Sequence, residues 1–180
     1  MKKKWNTDRI LSFTAIFLSL LSLFFFIYEI NLTRKHNRLS VMPRLHFDSS
    51  FSVQDSIQQY TYLLENRGLG PAIIDSIAIV YQGKHYPGSF GHFLQRFYPD
   101  LQHRSMVTTS LQRGNTMIAN SGITLLQVVP ATYNDPNFLA FYEKISRSEE
   151  LYLEVFYKSI YGEKWKLCSQ DSCTEPVLVK

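Results

Sequence analysis

The 180-residue sequence lacks the short motifs from which most enzymes are recognised. It contains no G-x-G-x-x-G or Walker pattern for phosphate binding, no H-E-x-x-H for a metal and no G-x-S-x-G for a nucleophilic serine. It has only two cysteines, and its five histidines show no spacing that suits a metal ligand set: His36, His46, His85, His92 and His103. We therefore predict no catalytic, cofactor or metal site, and a protein that is not an enzyme.

Two arrangements would still support an enzyme. His85, His92 and His103 would have to meet in space, or an imidazole would have to lie beside Cys168 and activate its thiol as a nucleophile. Exposed or hydrogen-bonded histidines are far commoner than such sites. A membrane-tethered enzyme is therefore the less favoured alternative.

Charge is absent from one long segment, Ile10 to Tyr28. As a helix, with 1.5 Å of rise per residue, this segment covers roughly 30 Å, the hydrocarbon thickness of a bilayer. A cleaved signal peptide is the alternative, but its apolar region is usually about 7 to 15 residues long, and Ile27 to Lys35 contains no small-x-small cleavage site. We predict a retained signal-anchor, a single-pass helix that continues for two or three turns until Pro43 discourages it.

The net charge of +4 is concentrated around this segment, while the rest of the chain carries slightly more acidic than basic residues. This distribution favours contact with membrane lipid headgroups and argues against nucleic acid as a partner. Four basic residues lie on each side, so the positive-inside rule does not select an orientation. They are Lys2, Lys3, Lys4 and Arg9 before the segment, and Arg34, Lys35, Arg38 and Arg44 after it.

Small side chains recur along the predicted helix at steps of three or four residues. They are Ser12, Ala15, Ser19 and Ser22, which share one helix face. Such a stripe lets two membrane helices approach closely, so it predicts self-association or a partner helix. The alternative is that these residues simply face lipid. If the stripe does pack, the protein is a membrane effector that acts through its anchor helix.

The two cysteines, Cys168 and Cys173, bracket a four-residue loop. If the two residues faced each other across a hairpin, their Cα atoms would lie about 4.5 to 5.5 Å apart, within reach of a disulfide. A disulfide would indicate an oxidising compartment and an extracytoplasmic domain. Two reduced thiols are the alternative.

After residue 44 the apolar pattern changes to the alternation that is typical of β-strands. About seven such segments follow, which suits a two-sheet antiparallel sandwich. Two segments with helical spacing interrupt them: Phe90, Phe93, Leu94 and Phe97, then Phe138, Phe141, Tyr142 and Ile145. We predict a mainly β, antiparallel immunoglobulin-like sandwich with two short helices over residues 41–180, preceded by one transmembrane helix within residues 1–40.

The most distinctive turn, N-x-G-x-G-P-A, contains Asn66, Gly68, Gly70 and Pro71. Its glycines permit positive φ and its proline fixes the exit into the next strand, so we interpret it as a structural hairpin connection. The turn resembles the pattern of bacterial immunoglobulin-like adhesion and accessory modules. Together with Arg34 to Pro43 it is also similar to a group of uncharacterised bacterial single-pass membrane proteins, over the first half of the chain. The resemblance implies a membrane-anchored binding or accessory subunit of a membrane-associated complex.

Overall fold

The computed structural model describes residues 7–54, 57–87, 89–99, 105–129, 135–147, 150–170, 173 and 175–179. The chain forms two compact units, Met1–Ser40 and Val41–Lys180. Lys2 to Lys4 and His103, named above, lie outside the described residues.

The first unit contains one long helix, α1, from Thr7 to Ser40. The helix is long and apolar enough to cross a membrane, and none of its residues is buried by the protein. It continues past Tyr28 to Ser40, so the predicted extension beyond the apolar segment is confirmed. That extension is about 18 Å long at 1.5 Å per residue.

The second unit is built from two antiparallel sheets. In the first sheet the order is β1 (Leu45–Gln54), β2 (Ile57–Asn66), β7 (Ser121–Val129) and β5 (Ser105–Thr108). In the second it is β10 (Val177–Val179), β9 (Lys164–Cys168), β8 (Leu151–Lys158), β3 (Ala72–Tyr81) and β4 (Lys84–Pro87). A further short strand, β6 (Thr116–Met117), pairs with β3.

The two sheets share one hydrophobic core because alternate side chains of each strand point inward. In β2, for example, Tyr60, Tyr62 and Leu64 are buried, and in β8 Val155 and Tyr157 are buried. The roughly seven predicted strand segments correspond to β1, β2, β3, β5, β7, β8 and β9. The strands that the alternation did not predict are β4, β6 and β10, each too short to show a period.

Both predicted helices of this unit are confirmed, as α2 (Phe90–Phe97) and α3 (Pro136–Arg147). Ser89 caps α2, and its hydroxyl accepts a hydrogen bond from the His92 amide at 3.5 Å. Asp135 caps α3, and its carboxylate accepts hydrogen bonds from the amides of Asn137 at 3.0 Å and Phe138 at 3.3 Å. Pro136 takes the first helical position, as expected.

Strand pairing defines two ends of the domain. At the end where β1 begins, Leu45 pairs with Asn66, Asn66 pairs with Ser121 and Ile73 pairs with Lys158. We name this the proximal end. At the opposite, distal end α3 connects β7 to β8, and the aromatic side chains of α2 and α3 pack against rings from both sheets: Phe51, Tyr60, Tyr81 and Tyr86.

Candidate functional site

At the proximal end the segment Val41–Arg44, which connects α1 to β1 along the chain, is held by the turn after β2. The Arg67 amide donates to the Arg44 carbonyl at 2.9 Å, and the Leu69 amide donates to the Met42 carbonyl at 3.1 Å. These bonds extend the β1–β2 ladder beyond the sheet. We name the turn 66–71 together with Val41–Arg44 the clamp.

Asn66 is the centre of the clamp and is 1% exposed. Its side-chain oxygen accepts from the amides of Arg44 at 3.2 Å and Gly68 at 3.0 Å. Its side-chain nitrogen donates to the carbonyls of Gly70 at 2.8 Å, Met117 at 3.1 Å and Ile118 at 3.2 Å. One amide side chain therefore joins the connecting segment, the turn and the end of β6.

The two glycines of the turn are required for close approach and not for positive φ, which neither of them adopts. A Cβ atom on Gly70 would lie 2.8 Å from the Val41 Cα, and one on Gly68 would lie 2.5 Å from the Met42 carbonyl oxygen. No side chain fits between the turn and the connecting segment. This corrects the reason inferred from the sequence.

The prediction that this turn is a hairpin connection is wrong. β2 and β3 lie in different sheets and do not pair, so the turn carries the chain from one sheet to the other. Pro71 lies at the exit into β3, as expected. Because the turn bridges the sheets and also holds Val41–Arg44, the chain that enters the domain is fastened to both layers.

A second polar cluster lies on the outer face of the second sheet. Glu154 is 6% exposed, and its carboxylate lies 2.6 Å from Lys166 Nζ and 3.2 Å from His85 Nε2. The Lys166 ammonium also lies 5.6 Å from the centre of the Phe156 ring. The Lys166 ammonium compensates the buried carboxylate, and His85 Nε2 lies within hydrogen-bond distance of it, so the buried group has the partners that its burial requires. The hairpin register around Gly162 could have identified this pair, because it places Lys166 diagonally opposite Glu154.

Among the histidines that the structure describes, the other three do not join this cluster. His92 Nδ1 lies 3.3 Å from the Ser89 hydroxyl at the start of α2, whereas His36 lies in α1 and His46 in β1. The described part of the chain contains no group of three His, Cys, Asp or Glu side chains that could hold a metal ion.

A disulfide joins Cys168 to Cys173, with 5.5 Å between the Cα atoms. Cys168 is the last residue of β9 and is buried, whereas Cys173 lies in the segment between β9 and β10. The two residues are therefore not opposed across a hairpin, contrary to the predicted geometry. β10 pairs with β9 through Val177 and Lys166, so the bridge closes the loop that precedes this ladder.

The small side chains of α1 all lie exposed on the helix: Ser12, Ala15, Ser19 and Ser22. The serine hydroxyls donate to carbonyls of their own helix, from Ser12 to Asp8 at 2.8 Å, from Ser19 to Ala15 at 2.9 Å and from Ser22 to Leu18 at 2.9 Å. Because these hydroxyls already have hydrogen-bond partners within the helix, the stripe is compatible with contact with lipid as well as with another helix.

Tyrosines with buried hydroxyl groups lie beneath both ends of the domain. The Tyr157 hydroxyl accepts a hydrogen bond from the Leu45 amide at 3.5 Å, and burial raises the pKa of Tyr157 to about 12. Burial, together with the neighbouring Tyr81, raises the pKa of Tyr98 to about 12, and burial also raises the pKa of Tyr62. These hydroxyls are protonated structural groups at neutral pH.

No family model, curated protein or solved structure matches this chain.

Proposed function

We propose that this protein is a single-pass, membrane-anchored binding or accessory subunit of a membrane-associated complex, and that it has no catalytic role. The clamp is the observation that carries the proposal. It fastens the chain that follows a membrane-type helix to both sheets of the domain, which suits a protein that presents a rigid surface beside a membrane. In this proposal α1 is an uncleaved signal-anchor.

The strand order supports an immunoglobulin-like sandwich for the domain. An immunoglobulin fold has strands A, B, E and D in one sheet and C, F and G in the other. Here β1-β2-β7-β5 corresponds to A-B-E-D, and β9-β8-β3 corresponds to G-F-C, with β4 and β10 added at the edges. This order agrees with the expected similarity to bacterial adhesion and accessory modules, although a fold alone does not specify an activity.

We place the domain on the extracytoplasmic side, and the disulfide supports this orientation. Disulfides persist in oxidising compartments and are rare in the reducing cytosol. Lipid contact also belongs to the proposal, since Arg34, Lys35 and Arg38 lie exposed in the part of α1 that follows the apolar segment. Basic residues in this position attract anionic headgroups.

A crosslinking experiment on the full chain in its membrane tests the proposal. A photoreactive amino acid would replace exposed residues of the domain, for example Val107 in β5 and Leu178 in β10. Phe17 in α1 is the matched position for contacts of the anchor. We expect a discrete adduct from at least one domain position, retained after extraction in mild detergent. The absence of any stable protein, lipid or glycan partner would count against an accessory role.

The exposed stripe on α1 favours a second candidate, a membrane effector that acts through association of its anchor helix. In that case Ser19→Leu should abolish function while the domain stays folded. Thr14→Leu is the matched control, because Thr14 lies on another face of the same helix and its hydroxyl is also satisfied internally, by the Leu11 carbonyl at 2.8 Å. Unchanged function in Ser19→Leu would remove this candidate.

A further inference from the structure

Among the described residues, the strands β1, β5, β4 and β10 at the edges of the two sheets differ in how well they are protected against pairing with another chain. Proteins usually protect edges with short strands, charged residues or proline. β5 and β10 are only four and three residues long, and β4 contains both Lys84 and Pro87. β1 is ten residues long, and from Ser49 to Gln54 it carries neither charge nor proline.

The register identifies which main-chain groups of β1 face away from β2. The Arg67 amide donates to the Arg44 carbonyl, so residues 44 and 67 form a hydrogen-bonded pair. In an antiparallel ladder such pairs alternate, so the even-numbered residues of β1 point their N–H and C=O groups towards β2. The residues between them point their N–H and C=O groups outward: Leu45, Phe47, Ser49, Phe51 and Val53. Consistent with this, the Leu45 amide donates across to the Tyr157 hydroxyl of the other sheet.

The second half of β1 leaves some of these outward groups open. The Ser49 amide is occupied by the neighbouring Asp48 carboxylate at 2.9 Å. The main-chain groups of Phe51 and Val53 that face outward have no partner among the residues that the structure describes. Every side chain from Ser49 to Val53 is exposed.

The side chains along this open edge alternate in character. Phe51 and Val53 are 40% and 51% exposed and lie on the side of the strand that faces α3. There the Phe51 ring lies 5.4 Å from the Tyr142 ring. Ser50 and Ser52 lie on the opposite side. A strand added here would therefore place every second side chain beside an apolar surface and the others beside serines.

The charges near the edge of β1 indicate which residues an added strand should carry at its ends. The uncharged stretch is bounded in the sequence by Asp48 and Asp55. Asp48 and Glu65 share one guanidinium, that of Arg67, at 3.3 Å and 2.7 Å, which leaves one net negative charge beside the edge. Basic residues at the ends of an incoming strand are therefore favoured.

We propose that the edge of β1 from Ser49 to Val53 binds an extended peptide segment of a partner protein by β-strand addition. The segment has apolar side chains at two alternate positions, small polar side chains between them and Lys or Arg at its ends. Main-chain hydrogen bonds provide the attachment, and the alternate side chains provide the selectivity. This inference rests on the proposed binding role and identifies the surface and the class of partner.

The test uses the full chain in detergent and a capped, fluorescent peptide of sequence Lys-Thr-Val-Thr-Val-Thr-Lys. We expect saturable binding that slows amide hydrogen exchange at Phe51 and Val53. The same peptide with both Val amides methylated is the matched control and should not bind, because it cannot donate to the edge. Protection confined to other strands, or equal binding of the methylated peptide, would overturn the proposal.

Two variants at one position separate the main-chain contribution from the side chain. Val53→Pro removes an outward amide without removing a hydrogen bond between β1 and β2, and should weaken peptide binding by about tenfold, the effect of one lost hydrogen bond. Val53→Thr keeps the amide and the branched shape and should bind within about twofold of the parent. If Val53→Pro fails to fold, Val53→Lys keeps the amide and repels the basic peptide, so it should also weaken binding. Unchanged affinity in the folded variants would contradict the proposal.

The crosslinked partner distinguishes this inference from the proposed function. If the folded Val53→Pro chain still captures the partner found with the parent, the edge proposal fails and the accessory role stands. If the partner is no longer captured by Val53→Pro but is still captured by Val53→Thr, the edge proposal and the accessory role both stand. If no partner is captured by the parent chain while the peptide binds the edge, the accessory role fails and the edge site stands.

Discussion

The proximal and distal ends of the domain are closed by different physical means. At the proximal end main-chain groups converge on one buried amide, Asn66, and two glycines allow the backbones to touch. At the distal end aromatic rings fill the space, with Phe138 fully buried and Tyr98 packed on Phe141 at 5.5 Å. Hydrogen bonds depend on fixed positions, whereas apolar packing tolerates other side chains of similar volume.

This difference indicates where the domain is rigid and where it can vary. The clamp depends on the position and type of each hydrogen-bonding group, so even a conservative replacement there should cost most of its stabilising free energy. At the distal end the loss of unfolding free energy should increase with the side-chain volume that is removed. The following variants of the full chain in detergent test that contrast through the free energy of unfolding.

Asn66→Ala should give the largest effect, a loss of about 4 kcal/mol, because it leaves several buried main-chain groups unpaired. Denaturant unfolding measures it. Asn115→Ala is the matched control, since the Asn115 side chain is exposed and accepts one bond, from the Gln112 amide. It should cost less than about 1 kcal/mol. Equal losses in the two variants would mean that Asn66 is not the centre of the clamp.

Phe138→Ala should lower the free energy of unfolding by about 3 kcal/mol, because it removes a fully buried ring of α3. Phe138→Leu should cost less than about 1.5 kcal/mol, since leucine refills most of the space. Conservative replacement of Asn66 by Asp should not recover stability in this way, because Asp cannot donate to the three carbonyls. Similar losses in Phe138→Leu and Phe138→Ala would remove the graded behaviour assigned to the distal end.

Replacing both Cys168 and Cys173 by Ser should lower the free energy of unfolding by about 2 kcal/mol, the chain-entropy value for a loop of this length. Thermal unfolding with and without reductant measures the change. The parent chain should lose the same amount when reduced, and the double variant should not respond to reductant. A reductant response in the double variant would show that the effect does not come from this bridge.

The raised tyrosine pKa values predict a fall in stability at alkaline pH. Below about pH 9 these hydroxyls are protonated in both states, so they make stability independent of pH there. Between about pH 10 and pH 12 the unfolded chain ionises while Tyr157 and Tyr98 stay mostly protonated in the folded chain. Stability then falls by up to about 1.4 kcal/mol per pH unit for Tyr157, and by less for Tyr98, whose partly exposed side chain is screened by solvent.

Tyr157→Phe and Tyr98→Phe should each remove the part of the pH dependence that comes from the replaced tyrosine. The two effects should be independent, because Tyr157 lies beneath the proximal end and Tyr98 at the distal end. Unfolding curves at pH 9, 10, 11 and 12 would measure the slope. A slope that neither variant changes would place the alkaline titration elsewhere.

The long apolar segment and the alternating strands could be predicted from the sequence because each shows its pattern over many residues. Ile10 to Tyr28 and β8 are examples. The alternation did not predict β10, because three residues show no period and their place depends on pairing with Lys166. The role of Gly70 also could not be predicted, because it depends on Val41, which is distant in sequence and adjacent only in the fold.

Labelling of Cys168 and Cys173 in intact cells with a membrane-impermeant thiol reagent tests whether the anchored domain lies outside the cytoplasm, as we propose. We predict no labelling until a reductant opens the bridge, and then labelling without lysis. Labelling that requires lysis but no reductant would place reduced cysteines in the cytoplasm and rule out an extracytoplasmic domain.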